Sequence, residues 1–227
     1  MCMKKEIKSQ ADLEKLVQVY GFLPFFQNEI IGFSVEEHTP SRFWFSDTED
    51  GPWQWKGPVA SSGNCVYGKF FGGKAGFVSR DWFPDFANYR RDGYDFDARY
   101  DDELASTKDK RIYDTIIQHQ SLLSKELKKI CNYGKLGNKG FDTIITRLQM
   151  QTYVNISNFE YMVDKQGQTY GWGVARYSTP EEQFGALLLQ DAYRRDPAES
   201  KERVLNHLRL LLPEADEEQL EKVLKGR

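Results

Sequence analysis

The sequence predicts an α+β fold. Apolar residues recur at helical spacing between residues 109 and 148, two β-rich segments follow at 153–177, and aromatic residues are concentrated before residue 101. Three helices followed by a β-hairpin are the winged-helix arrangement. We therefore expect an aromatic-rich α+β domain with an N-terminal helix at 1–105, a winged-helix domain at 106–180 and a C-terminal helical extension at 181–227.

The three helices of the winged helix are indicated by apolar stripes and capping residues. The first helix covers residues 109–119, with a stripe formed by Ile112, Ile116 and Ile117. Ser124 is placed as the N-cap of the second helix, and Gly134 stands where a left-handed C-terminal residue is expected. Asn138 is placed to cap the third helix, whose stripe is Phe141, Ile144, Ile145 and Leu148. A hairpin with strands at 153–163 and 168–177 and a turn at 164–167 completes the unit.

Local charge points to a polyanionic partner. Residues 108–147 hold nine Lys or Arg against four acids, a net charge of +5 within a chain of formal net charge −3. A phosphate backbone attracts a local positive face whatever acids lie elsewhere, so we expect double-stranded DNA as the partner. The candidate DNA-binding residues are Lys128, Lys139, Thr143, Thr146, Arg147 and Arg176. The alternative is a dimerisation or protein-docking module whose charged face is only solvated.

The N-terminal region begins with a helix and continues into an aromatic segment. Ser9 and Asp12 resemble a capping box for a helix that Gly21 ends. Residues 43–100 hold sixteen of the thirty-two aromatic residues, and alternating patterns predict strands at 53–57 and 64–71. Aromatic and basic side chains suggest a base-stacking or ligand pocket, and the alternative is that the rings only fill a core. The candidate pocket residues are Trp53, Trp55, Lys69 and Lys74.

One string in this region imitates a phosphate-binding loop. Residues 68–74 satisfy G-x-x-x-x-G-K, but Ala75 supplies no hydroxyl for magnesium, and residues 76–79 continue as a strand where that loop needs a helix. We therefore reject nucleotide hydrolysis. Lys69 and Lys74 remain candidate phosphate contacts, and the alternative is that they are only surface charges.

The rest of the chain gives structural expectations. Arg90 and Arg91 with the acids after them are predicted to form a solvated linker. Helices are expected to begin at Thr179–Pro180 and Asp196–Pro197, with a last one at 216–225, and to hold the winged helix to the N-terminal domain. Neither an apolar run of membrane-spanning length nor a signal peptide is visible, so we expect a cytoplasmic protein. The scattered Cys2, Cys65 and Cys131 and the isolated histidines suggest no metal site, and no cofactor is expected.

Several short motifs resemble the AlkZ-related group of bacterial proteins, relatives of the AlkZ and YcaQ winged-helix DNA glycosylases. They are Leu148-Gln149-Met150-Gln151, YGWGVARY at 170–177, PWQW at 52–55, and YGKFF at 67–71 with Gly76-Phe77. The resemblance implies DNA repair chemistry, in which a glutamine-x-glutamine pair positions water at the sugar of a damaged nucleotide. By the resemblance, Gln149 and Gln151 are the candidate catalytic residues.

This sequence departs from the glycosylases in two ways. The pair comes late in the chain, at the junction of the third helix and the wing, and the chain is short for tandem winged helices. Two neutral amides can only orient a water and stabilise developing charge, which requires a base already activated by alkylation. Two functions stay open: a DNA-binding protein acting as a glycosylase on alkylated bases, and a non-catalytic DNA-binding regulator or adaptor whose aromatic domain binds a ligand or protein.

Overall fold

The computed structural model describes residues 6–45, 49–167, 169–190 and 192–225, and it has an α+β architecture with two three-stranded antiparallel sheets. The predicted fold class is confirmed at that level. Cys2 and Gln168, named above, lie outside the described residues.

The first half of the chain contains one sheet and six helices among its described residues. In order these elements are α1 (Gln10–Tyr20), β1 (Phe22–Pro24), α2 (Val35–His38), α3 (Ser41–Trp44), α4 (Pro52–Ala60), β2 (Cys65–Phe71), β3 (Lys74–Ser79), α5 (Phe83–Arg91) and α6 (Phe96–Asp101). The sheet order is β1-β3-β2. As predicted, Ser9 caps α1, and Gly21 ends it with φ of 72°.

The second half contains the other sheet and the remaining described helices. Its elements are α7 (Thr107–His119), β4 (Ser121–Leu123), α8 (Ser124–Ile130), α9 (Phe141–Met150), β5 (Asn155–Val163), β6 (Thr169–Ser178), α10 (Pro180–Phe184), α11 (Leu187–Gln190), a 3-10 turn (Ala192–Arg194), α12 (Pro197–Leu211) and α13 (Glu217–Leu224). The sheet order is β4-β6-β5.

The first sheet is buried on both faces. Along β1 and β2 alternate side chains point to opposite sides, so Leu23 and Tyr67 join one core cluster while Phe22 and Val66 join another. The first cluster also contains residues of α7 to α9, and the second contains residues of α12 and α13. The sheet therefore lies between the segment 107–156 and the C-terminal helices.

The predicted third helix has the predicted buried face. Phe141, Ile144, Ile145 and Leu148 are each at most 5% exposed, which confirms the apolar stripe. The three helices and the hairpin also form in the predicted order, with the short strand β4 paired to β6 between the first two helices. The hairpin turn is confirmed, with Gly167 at φ of 81° donating its N–H to the Asp164 carbonyl at 3.1 Å.

The helix ends differ from those predicted. Ser124 is the first helical residue rather than the cap, because Leu123 in β4 precedes it directly. The left-handed residue after α8 is Asn132 (φ 57°), not Gly134. Gly140, not Asn138, caps α9, since the Asn138 amide donates to the Cys131 carbonyl. Ile117 is 47% exposed and lies off the buried stripe of α7.

The strand predicted at 53–57 is wrong, because these residues belong to α4. Pro52 fits the first helical turn, and the Gly51 N–H donates to the Gln54 side chain at 3.0 Å, which closes the N-terminus. Trp53 and Trp55 alternate with polar residues as a strand would, but here the helix turns Trp55 into the core. Strand 64–71 is confirmed as β2.

The string that imitates a phosphate-binding loop is a hairpin. Gly72 and Gly73, with φ of 60° and 81°, form the two-residue turn between β2 and β3. No helix begins there, which agrees with the rejection of a nucleotide-hydrolysing loop.

The solvated linker predicted around Arg90 and Arg91 is wrong for these two residues. Both lie on α5 and are buried, at 8% and 1% exposure. The Arg91 guanidinium donates to the Thr152 carbonyl at 2.7 Å and to the Glu181 carboxylate at 2.5 Å. Arg91 thus joins α5 to the α9–β5 junction and to α10.

The C-terminal helices form as predicted but pack differently. Thr179, Asp196 and Asp216 cap α10, α12 and α13. α12 packs chiefly on α5 and on the face of the first sheet that carries Phe22 and Val66, not on α7 to α9. α10 reaches β5, where Asn155 pairs with Gln183. In the described part of the chain, no helix is long and apolar enough to cross a membrane.

We predict that Ile145→Ala lowers the free energy of unfolding by about 2 to 5 kcal/mol, because the space left in a packed core cannot fully collapse. Thr143→Ala on the exposed face of the same helix is the matched control and is expected to change it by less than about 0.5 kcal/mol. Urea unfolding followed by circular dichroism measures both. Equal costs would contradict the placement of Ile145 in the core.

Candidate nucleic-acid interface

A cleft of about 450 Å³ lies between α9 and the β2–β3 hairpin. It is lined by Lys69, Gly72, Gly73, Asp142, Thr143, Thr146, Arg147 and Met150. Lys69, Thr143, Thr146 and Arg147 were predicted from two separate regions of the sequence as candidate ligand or DNA contacts. The fold brings these four together at one surface.

The two walls of the cleft touch at Lys69 and Gly73. Lys69 Nζ donates to Thr146 Oγ1 at 3.3 Å. At Gly73 a Cβ would lie 3.4 Å from Thr146 Cγ2, and the positive φ of this residue also disfavours other side chains. The turn therefore approaches α9 closely, and Lys69 is half-buried where it lines the cleft.

Gln149 fixes this arrangement from beneath. Its side chain is fully buried, with Oε1 accepting from the Lys69 backbone N–H at 3.1 Å and Nε2 donating to the Ile145 carbonyl at 3.0 Å. Gln151, two residues on, is partly exposed. Neither amide lines the cleft. The catalytic role predicted for the pair stays a prediction, and the geometry gives Gln149 the role of joining β2 to α9.

Three of the candidate DNA contacts are held by acids. Arg147 donates to buried Asp109 at 2.6 and 3.1 Å, and Asp109 also closes the N-terminus of α7. Arg176 donates to Glu160 at 2.5 and 2.8 Å and links β6 to β5. Lys128 lies 3.3 Å from Asp142. These cations stabilise the fold, so less of their charge is available to a phosphate.

Other cations near α9 are unpaired and exposed. Lys139 and Lys135 precede the helix, and within the described part of the chain neither forms an ion pair with a carboxylate. Thr143 is also exposed. Gly140 gives α9 no side-chain cap, so the positive end of the helix dipole, two residues from Lys139 at its start, is not covered by a capping side chain.

A buried cation adds to the potential under the cleft. Arg90 donates to the carbonyls of Met150 and Phe70, both at 2.9 Å, and lies over the Phe86 ring at 4.6 Å. No carboxylate pairs with it among the described residues. Burial lowers the pKa of Arg90 to about 10, so it stays charged at neutral pH. The sequence contains one signal for the burial of Arg90: it follows Phe86 by four residues, which places both side chains on the buried face of α5.

The two predicted aromatic pocket residues pack among other aromatic rings. Trp55 is 8% exposed and packs beside Phe43 in the core. Trp53 is part of a ring cluster with Phe25 and Trp44, at centroid distances of 5.2 and 5.6 Å. Their stacking role stays a prediction. Lys74 is exposed on β3, beside a smaller cavity of about 220 Å³ against α13.

A family model described as AlkZ related matches residues 7–225. The chain belongs to the AlkZ-related family. The match spans nearly the whole chain and confirms the resemblance drawn from the short motifs. No curated protein and no solved structure matched the chain. Within the described residues of this AlkZ-related protein, no three metal-ligating side chains cluster together.

We predict that Gln149→Met, which keeps the length of the side chain but removes both hydrogen bonds, lowers the free energy of unfolding by about 1 to 3 kcal/mol. The loss arises because the Lys69 N–H keeps no acceptor in a buried position. Gln151→Met is the matched control, with an expected change below about 0.5 kcal/mol. Chemical denaturation measures both, and an unchanged midpoint for Gln149→Met would contradict the bridging role.

Proposed function

We propose that this AlkZ-related protein binds double-stranded DNA through a winged helix at residues 107–178. The order of helix, strand, helix, helix and two-stranded hairpin supports the winged helix. One observation carries the proposal: the exposed Thr143 on α9 lies between Lys139, which precedes the helix, and Lys69, which contacts Thr146. Hydroxyls and unpaired lysines around one helix suit a phosphate backbone.

The hairpin turn restricts how α9 would approach a duplex. Gly73 lies against Thr146 and covers the C-terminal half of α9 on that side. We propose that the duplex meets the N-terminal half, at Thr143 and the loop before it, while Lys69 contacts a phosphate at the edge of the cleft. The charge of Arg90 beneath the cleft supports this placement, because it lacks a carboxylate partner among the described residues.

Base excision is a separate step that the resemblance implies. A positioned water would need an accessible carboxamide, whereas Gln149 is fully buried and hydrogen-bonded to backbone groups of two elements. We therefore propose DNA binding as the function, with excision by Gln149 and Gln151 as a hypothesis for direct measurement.

We predict salt-dependent duplex binding with a log–log slope of about −0.9 per phosphate contacted. Lys139→Gln and Lys135→Gln are each expected to weaken binding to every duplex tested and to reduce the slope by about one. Lys15→Gln on α1 removes the same charge outside this surface and is the control. Fluorescence anisotropy from low to high salt measures all four proteins. Equal slopes for all variants would argue against the assigned face.

We predict that the protein releases 7-methylguanine from duplex DNA no faster than the spontaneous rate, because Gln149 has no access to a sugar. The assay is single-turnover release at saturating protein. Release above the spontaneous rate that falls by about 10² to 10³ in Gln151→Ala would reverse this conclusion and support the glutamine pair.

A further inference from the structure

The loop between α8 and α9 presents a single exposed leucine. Leu136 is completely exposed, at 104% of its reference area, whereas most other apolar residues from 107 to 156 are buried. It lies between Lys135 and Lys139, which are both exposed, and residues 131–140 contain no acid. The loop ends at Gly140, where α9 begins.

Backbone and side-chain contacts hold the loop in shape. The Asn138 N–H donates to the Asn132 carbonyl at 2.7 Å, and the Gly137 N–H donates to the Gly134 carbonyl at 3.3 Å. A Cβ at Gly137 would come within 2.1 Å of the Asn132 oxygen, so this close approach requires glycine. The Asn138 amide also donates to the Cys131 carbonyl at 3.0 Å. In the loop closed by these bonds, the leucine points away from the core.

The lysines beside this leucine favour a partner that carries negative charge. An exposed apolar side chain next to lysines suits a partner that has phosphates on its surface and an apolar interior that the side chain can enter. A duplex has both, because leucine is among the side chains that insert between base steps, and neighbouring lysines neutralise the flanking phosphates. The leucine belongs to the loop that leads into α9, which the proposed function places against the duplex.

We propose that Leu136 is a wedge that inserts between stacked bases when the protein binds duplex DNA. This inference rests on the proposed DNA binding and adds a local distortion of the duplex to it. The lysines on either side anchor the backbone while the leucine separates one base step. Pyrimidine–purine steps unstack most easily, so they are the expected sites of insertion.

The test uses duplexes that contain 2-aminopurine, whose fluorescence is quenched by stacking, at successive positions that include a TA step. Wild-type protein is expected to raise the emission at saturation. Leu136→Ala is expected to lose this increase while its affinity changes by less than about tenfold, because the cost of unstacking and the gain from insertion disappear together. Leu210→Ala, which truncates a leucine 83% exposed on α12, is the control and is expected to behave as wild type.

Each contrary outcome has its own meaning. Absence of duplex binding by the wild type overturns both the proposed function and the wedge. Binding without an emission increase at any position, or an equal increase with Leu136→Ala, overturns the wedge alone. A wild-type dimer that becomes monomeric in Leu136→Ala, measured by sedimentation, would also overturn it, because the leucine would then serve a protein interface.

Discussion

The buried guanidinium of Arg91 joins more parts of this chain than any other side chain described above. Besides Glu181 and the Thr152 carbonyl, it donates to Thr152 Oγ1 at 3.2 Å and to the Tyr193 hydroxyl at 2.5 Å. Burial acts to lower its pKa, but the charge and hydrogen bond of Glu181, together with Tyr193 and Tyr153, outweigh this effect and the pKa is raised. A guanidinium buried away from water is costly unless it keeps its hydrogen-bond partners. Arg91 therefore holds α5, the α9–β5 junction and α10 in fixed positions. Thr152 itself has φ of 65°, a strained conformation for a β-branched residue that these bonds stabilise.

The sequence was sufficient to predict those features that depend on the residues of a single helix or turn. The stripe from Phe141 to Leu148, the caps at Ser9 and Thr179, and the turn ending in Gly167 depend on local spacing and local backbone geometry, and they form as expected. The predictions from the sequence failed where the structure depends on a contact with a residue far away in the chain. The PWQW segment is helical because Trp55 then packs towards the first sheet. No local signal reveals that Arg91 donates a hydrogen bond to Glu181, ninety positions away.

The candidate site illustrates the same limit. Lys69 and Thr146 were each singled out from the sequence, but their contact depends on the buried bridge from Gln149 to β2, which spacing cannot predict. Arg147 was assigned to DNA because it lies on the polar side of α9. Its pairing with buried Asp109 follows from how α7 crosses α9, and that crossing is a property of the packed core.

The doubly covered first sheet has a consequence for biosynthesis. One of its faces is closed by helices near the C-terminus, and a ring nitrogen of His207 lies 2.9 Å from the Tyr20 carbonyl, 187 positions earlier. Phe83 and Phe86 of α5 cover part of this face, and Val204, Leu205 and Leu208 of α12 complete the cover only when that helix has been made. Before α12 and α13 are made, this apolar face of the first sheet is therefore only partly covered, and chaperones that shield hydrophobic surface bind such exposed faces.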